Sequence, residues 1–284
     1  MGGRAASVRS SSRSWEQWAA HYERRGLRVV TPGYPGFEVE VEALNANPGI
    51  VAALTVPAIV DRLASVIAGL DRPPIIIGHS HGGVFTQMLL DSGLGAAGVT
   101  LNSAPAGGVR VAPRSQIRST PPVLRSPANR HRPVALTFDE WWRTFANTFG
   151  AEEARALYDR CHVPASGRIL WSGVLAGFQP GGQETAVDYR NDDRAPLLFV
   201  SGGADLVMPP AVQRANVRHY TSRTVTEHVE YPGYAHLLPA QKGWEEIADH
   251  VLDWALWQSG VRPEPAPAGG WPGSGRSIRS APRR

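Results

Sequence analysis

Ser80 lies in the stretch Ile75-Ile76-Ile77-Gly78-His79-Ser80-His81-Gly82-Gly83, where its type and spacing are those of a nucleophile. A serine hydroxyl attacks a carbonyl carbon only when one group removes its proton and another receives the charge that builds on the carbonyl oxygen. Gly-x-Ser-x-Gly behind a short β-branched run provides for the second need, because it turns a strand sharply into a helix and lifts the serine out of the sheet. The turn strains the serine backbone, so glycines are expected at 78 and 82, where strand and helix backbones crowd together. The backbone N–H of His81, at the helix start, is expected to point where an oxyanion would form. The competing reading is a structural Gly-rich turn. Against it stand the apolar run before the motif and Val84, Phe85, Met88 and Leu89 at helix spacing after it.

The elements that must hold this turn follow from periodicity. Ser14 has the pattern of an N-cap with Gln17 as capping-box partner, and Trp15, Trp18, Ala19 and Tyr22 share a helical face that Gly26 can close. Leu27–Thr31 reads as a strand running into a Pro-Gly-Tyr-Pro-Gly loop. Val56, Ile59, Val60, Leu63, Val66, Ile67 and Leu70 form an amphipathic helix that tolerates Pro57 in its first turn. Ala97–Asn102, Pro196–Gly202 and Val225–Tyr231 read as further strands, and 210–220 and Trp244–Trp257 as helices. Strands alternating with helices of this length predict an α/β fold: a mostly parallel sheet with helices on both faces.

The rhythm breaks from Ala106 to Asp193, which opens Pro- and Arg-rich and then turns helical and aromatic, with Trp141, Trp142, Phe145, Phe149, Tyr158, Trp171 and Phe178. The expected organisation is a core at 14–105 and 194–260, a cap or lid at 106–193, a disordered or truncated N-terminus at 1–13 and a disordered basic tail at 261–284. The net charge of +4 sits in the ends: three arginines and no acid in 1–13, five arginines and one acid in 261–284. The body is mildly acidic, which excludes a basic nucleic-acid surface. Lys242 is the sole lysine, a bias that points to GC-rich coding DNA. The longest apolar stretch, Ile50–Val60, is too short for a bilayer, so no membrane partner is expected. Cys161 stands alone and no signal peptide is visible, so the expected location is cytoplasmic. His79 and His81 flank the serine on a tight turn whose alternate residues point apart, and no further cluster completes a metal site; neither metal nor cofactor is expected. His131, His162, His219, His228 and His250 are expected on the surface or on helices.

Taken together, Gly-His-Ser-His-Gly-Gly at 78–83, Ser-Gly-Gly-Ala-Asp at 201–205 and Tyr-Pro-Gly-Tyr-Ala-His at 231–236 resemble the α/β-hydrolase superfamily, over about Ser14 to Trp257. The resemblance implies an α/β-hydrolase fold and the chain order serine, acid, histidine, each after a strand, which here falls on Ser80, Asp205 and His236. The residues agree. His236 follows the last strand in a Gly-containing loop, where it could take the Ser80 proton, or it is a surface loop histidine. Asp205 follows a strand end, where it could hold the imidazole tautomer, or it is a turn aspartate before Pro209. Some relatives carry the acid one strand earlier; that strand ends here in Asn102, which supplies no charge. Trp141, Trp142 and Phe145, with His79, either line a substrate pocket over Ser80 or, for the aromatics, glue the cap to the sheet.

The family also implies earlier strands and a His-Gly loop that supplies a second oxyanion donor. Met1–Ser14 offers only Val8 and two alanines as aliphatic residues, so five strands are expected, fewer than the family usually has, with the second donor missing. The reading frame is expected to begin upstream of Met1; the alternative is a truncated, non-catalytic binding protein. The expected function is a serine hydrolase that cleaves an ester, thioester or lactone of a small apolar substrate. Carbon–carbon hydrolysis and cofactor-free perhydrolysis are alternatives on the same residues. Oligomeric state is not readable.

Overall fold

The computed structural model describes residues 12–111, 113–119, 126–175 and 183–260. The basic ends expected at 1–13 and 261–284 lie, apart from Ser12 and Arg13, outside the described residues, as does Phe178. In chain order the described elements open with α1 (Glu16–Arg24), α2 (Val41–Ala46), α3 (Gly49–Ala52), α4 (Val56–Ala68), β1 (Ile75–His79), α5 (His81–Asp91) and β2 (Ala97–Leu101). Then follow α6 (Arg114–Ser119), β3 (Pro133–Val134), α7 (Phe138–Phe145), α8 (Ala151–Cys161), β4 (Ala165–Ser166) and α9 (Gly167–Leu175). The chain closes with β5 (Leu197–Gly202), α10 (Pro210–His219), β6 (Thr226–Tyr231) and α11 (Trp244–Ser259).

β1, β2, β5 and β6 pair in that order in a parallel sheet. β2 and β5 are buried along their whole length, as strands covered on both faces must be. Their alternate side chains part to opposite faces. Val99, Leu101, Leu198 and Val200 pack with Trp18, Tyr22, Ile247 and Val251 from α1 and α11. Leu197 and Phe199 pack with Leu90 of α5 and Val217 of α10. The period-2 pattern of two central strands thus builds two cores at once. β6 closes one edge with Glu227 and Glu230 exposed, which discourages a further strand from pairing there.

β1 stands at the other edge, and here the structure corrects the expected fifth strand. Leu27 and Val29 pack on the same core cluster as Ile75 and Ile77, while Arg28 and Val30 are exposed, so the segment has a strand's alternation. It is no strand, because among the described residues β1 pairs only with β2 and no ladder receives 27–31. The N-terminal cap is corrected as well. A 3₁₀ turn over Ser12–Trp15 leads into α1, whose first turn lacks a side-chain cap. Gln17, expected in the capping box, donates to Pro239 O at 2.7 Å, beside the Trp18 indole donating to the same oxygen at 2.8 Å. Docking onto the loop after β6 outweighs a local cap. Thr55 does cap α4, accepting from Ala58 N–H at 3.3 Å, with Pro57 in the first turn as expected.

Between β2 and β5 the chain runs through α6 to α9, and the two-stranded β3–β4 pair joins Pro133–Val134 to Ala165–Ser166. Thr137 and Glu140 form a reciprocal capping box on α7. α7, α8 and the turn between them pack Trp141, Ala154 and Phe149 against Ala235 and Leu237, in the loop that follows β6. That loop carries His236.

Candidate active site

The sharp turn at Ser80 is built as its spacing requires. Ser80 adopts φ 56°, ψ −120° between β1 and α5, a region that non-glycine residues rarely enter. Its peptide is held on both sides: Ser80 N–H donates to Leu101 O at 2.9 Å, and Ser80 O accepts from Ala104 N–H and Gly83 N–H at 3.0 Å. Gly78 is obligatory, because a Cβ there would stand 2.2 Å from the Gly82 carbonyl oxygen. Gly82 is not crowded in the same way. A Cβ on it would meet only the Tyr34 hydroxyl at 3.8 Å, and the tight helical glycine is Gly83, whose Cβ would lie 2.7 Å from Ser103 Cβ. The pinch is therefore between Gly78 and the first helical turn, not symmetric about the serine. Gly78→Ala is expected to cost about 3 kcal/mol, since backbone must move to admit the methyl group; a urea melt that is unchanged would contradict this.

His236 and Asp205 reach the serine from two other loops. The His236 ring stands with Nε2 3.1 Å from Ser80 Oγ and Nδ1 2.8 Å from Asp205 Oδ2. A carboxylate only accepts, so the ring proton sits on Nδ1, and Nε2 presents a lone pair to the serine hydroxyl. The His236 and Asp205 side chains have no exposed surface. Asp205 Oδ1 accepts from Val207 N–H at 2.7 Å and Met208 N–H at 2.8 Å, so both carboxylate oxygens are engaged. Hydroxyl, imidazole and carboxylate in this chain of contacts can draw a proton from Ser80 and hold it on the ring. His81 N–H, at the first position of α5, has no acceptor within the helix and lies at its positive end.

The flanking histidines part as the tight turn predicts. His79 Nε2–H donates to His236 O at 2.7 Å, and the two rings lie 4.8 Å apart. The His81 Nε2 is buried with no hydrogen-bond partner among the described residues. Burial, and then the charge that His236 can carry, holds His79 down at about 3 and His81 at about 4, so both rings stay neutral. Between pH 6.5 and about 4 the unfolded chain takes up protons there that the folded chain refuses, so stability falls as pH falls. The expected loss is up to about 1.4 kcal/mol per pH unit for each ring. Urea midpoints measured from pH 7 to 5 check it: the slope should be shallower in His79→Gln, and an identical slope would count against this account.

Among the aromatics, Phe145 reaches the site, packing edge-on against the His236 ring at 5.0 Å. Its carbonyl also accepts from Leu237 N–H at 3.0 Å, tying α7 to the loop of His236. Trp141 stacks behind Phe145 at 6.5 Å and, with Leu157 and Leu237, walls a cleft of about 390 Å³ whose lining does not include Ser80. Trp142 stacks on Phe138 and donates to Phe149 O at 3.1 Å, tying α7 to the turn that follows it.

Two residues at the site were not singled out by sequence. The Tyr34 hydroxyl stands beside Gly82 at the N-terminal end of α5, and burial pushes its phenol up to about 12, so it stays neutral. Its signal was only a Tyr between two Pro and two Gly. Asn102, dismissed as an uncharged strand end, donates to Ala235 O and His236 O. His228 is on no helix: it lies half-buried on the edge strand β6, 2.8 Å from Ser201 Oγ. Among the described residues, no group of three or more His, Cys, Asp or Glu could hold a metal ion, and no helix is long and apolar enough to cross a membrane.

A model of the alpha/beta hydrolase family matches residues 3–250. No curated protein sequence matches the chain. Among solved structures, it resembles an extracellular alpha/beta-hydrolase from a Paenibacillus species, described as sharing structural and functional homology with tobacco salicylic acid binding protein 2. That match has TM-score 0.60 and 18% identity, over 87% of this chain and 95% of that one. It also resembles a pyrethroid hydrolase from Sphingobium faniae (TM-score 0.58, 20% identity, 87% and 92% covered). A methylesterase from Arabidopsis matches with TM-score 0.60 and 12% identity, over 87% and 94% of the two chains. At these identities the likeness to the solved structures speaks for the fold.

Proposed function

The chain belongs to the alpha/beta hydrolase family, and from that premise we propose that it is a serine hydrolase acting on a carboxylic ester, thioester or lactone. The observation that carries the reading is the unbroken contact series Ser80 Oγ–His236 Nε2, His236 Nδ1–Asp205 Oδ2, at 3.1 and 2.8 Å. Ser80 Oγ bonds the substrate's carbonyl carbon while its proton passes to His236 Nε2, and His81 N–H stabilises the resulting oxyanion. The carbon–oxygen or carbon–sulfur bond to the leaving group then breaks, and the leaving group departs with the proton from His236. Water, deprotonated by His236 in turn, attacks the acyl carbon and frees Ser80. Asp205 stabilises the imidazolium in both halves.

Phe145 against the imidazole, with Trp141 behind it, supports an apolar acyl or alcohol portion. In this reading α7 to α9 act as a cap over Ser80, with Ile169 of α9 sharing an apolar cluster with Phe85 of α5 as one point of contact. Two of the similar structures are, by name, a methylesterase and a pyrethroid hydrolase, which fits ester chemistry. The test is to treat the full-length protein with a fluorophosphonate probe and map the adduct by peptide mass. One adduct on the peptide containing Ser80, with turnover of a short-chain nitrophenyl ester, is the expected result. Folded protein that takes up no label and hydrolyses none of a panel of such esters would overturn the proposal.

A further inference from the structure

We propose that Asn102 is a positioning residue that fixes the spacing of Ser80, His236 and Asp205; the proposal rests on reading those three as the reacting groups. Asn102 follows β2, is fully buried and has φ 47°, a left-handed conformation that asparagine tolerates better than most residues. Its amide is fully used. Oδ1 accepts from Gly202 N–H at 2.7 Å, at the end of β5 and three residues before Asp205. Nδ2 donates to Ala235 O and to His236 O, each at 3.0 Å. One side chain thus ties the strand end that leads to Asp205 to the loop that carries His236.

The backbone on either side of Asn102 performs the same service for the serine. Leu101 O accepts from Ser80 N–H at 2.9 Å, Ala104 N–H donates to Ser80 O at 3.0 Å, and Asn102 N–H itself donates to Val200 O at 2.8 Å. Residues 101–104 therefore touch the peptide of Ser80 on one side and hold the loops of Asp205 and His236 on the other. His79, from the end of β1, supplies another donor to the same His236 carbonyl, at 2.7 Å. The base is therefore pinned through its own carbonyl oxygen rather than only through its ring.

The chemistry selects this residue type. An amide offers one acceptor and two donors in a plane, which matches one N–H on one side and two carbonyls on the other. A carboxylate would offer no donor and would set charge against two carbonyl oxygens. An aliphatic residue would leave Gly202 N–H unpaired in the interior and would take one donor from each carbonyl, leaving Leu238 N–H on Ala235 O and His79 on His236 O. A loose imidazole is costly, because a misplacement of about 1 Å in a reacting group lowers rates by about 10²-fold.

Asn102→Gly tests the assignment on the full-length protein, since glycine keeps the positive φ and removes only the amide. With p-nitrophenyl butyrate as probe, kcat should fall about 10²-fold while KM stays within about threefold. In parallel, the proton NMR signal of His236 Nδ1–H, shifted downfield by its bond to Asp205, should move upfield or be lost to exchange with water. If Asn102→Gly does not fold, His79→Leu carries the test by removing the other donor to the same carbonyl; it should lower kcat in the same manner, with His79→Gln, whose amide can still donate, restoring most of it. A folded Asn102→Gly with wild-type kcat and an unmoved His236 signal overturns the assignment. Wild-type protein that hydrolyses no ester would sink the hydrolase reading instead, and the NMR comparison would still decide what Asn102 does.

Discussion

Ser80→Ala is expected to leave the protein folded and to lower ester hydrolysis on the order of 10⁶-fold, with fluorophosphonate labelling lost. The size follows from how the group acts: without the hydroxyl, His236 and Asp205 have no proton to move, and only binding and the oxyanion donor remain. The backbone at 80 makes a second, independent forecast. Ser80 is held at φ 56° by bonds to Leu101, Ala104 and Gly83, and such a conformation costs of order 1–3 kcal/mol in a residue with a Cβ. Alanine keeps the Cβ and the strain. Glycine keeps neither, so Ser80→Gly should be as inactive as Ser80→Ala yet more stable by about 1–2 kcal/mol. Equal melting temperatures for the two variants would mean that the turn is not strained. Label uptake by either would mean that Ser80 is not the nucleophile.

What the sequence made legible at this site was what is local. The turn at Ser80 needs only five residues and the elements beside them, so its spacing announced both the strained serine and the crowding at Gly78. The helix at 56–68 was legible for the same reason, since its proline and its apolar stripe lie within one short window, whereas its Thr55 cap was not singled out. α2 and α3, of six and four residues, fell below the length at which a stripe can be read. Leu27–Thr31 marks another limit: its alternation is visible in the chain, but a strand is defined by pairing, and no described strand pairs with it.

Long-range hydrogen bonds were out of reach. The Ser14–Gln17 pattern is a valid cap in isolation, yet Gln17 finds its acceptor 222 residues away. Asn102 bonds residues 100, 133 and 134 positions distant, and nothing near it in the chain distinguishes it from any asparagine at a strand end. Asp205 and His236 were reachable only because family resemblance supplied the order that local residues do not. The structure then brings all three side chains together through contacts that the resemblance did not specify.

Asp205→Asn is the sharper test of the acid, and its outcome follows from the two oxygens having different partners. Oδ1 is fixed by Val207 N–H and Met208 N–H, at 2.7 and 2.8 Å, so it must remain an acceptor. In the asparagine variant the amide oxygen takes that place, and the NH₂ group is forced toward His236 Nδ1. The imidazole must then accept at Nδ1 and carry its proton on Nε2, facing Ser80 with a donor where a lone pair is needed. The expected loss is about 10⁴-fold in kcat, with the fold intact. Asp205→Ala should lose comparable activity and, by leaving the buried Met208 N–H and the part-buried Val207 N–H unpaired, a further 1–3 kcal/mol or so of stability. Asp205→Asn with more than a tenth of wild-type activity would show that the carboxylate does not set the tautomer. The contrast between the two variants also separates the two readings that the sequence left open for this residue. A turn aspartate before Pro209 and a partner for the imidazole are one and the same carboxylate, with one oxygen committed to each.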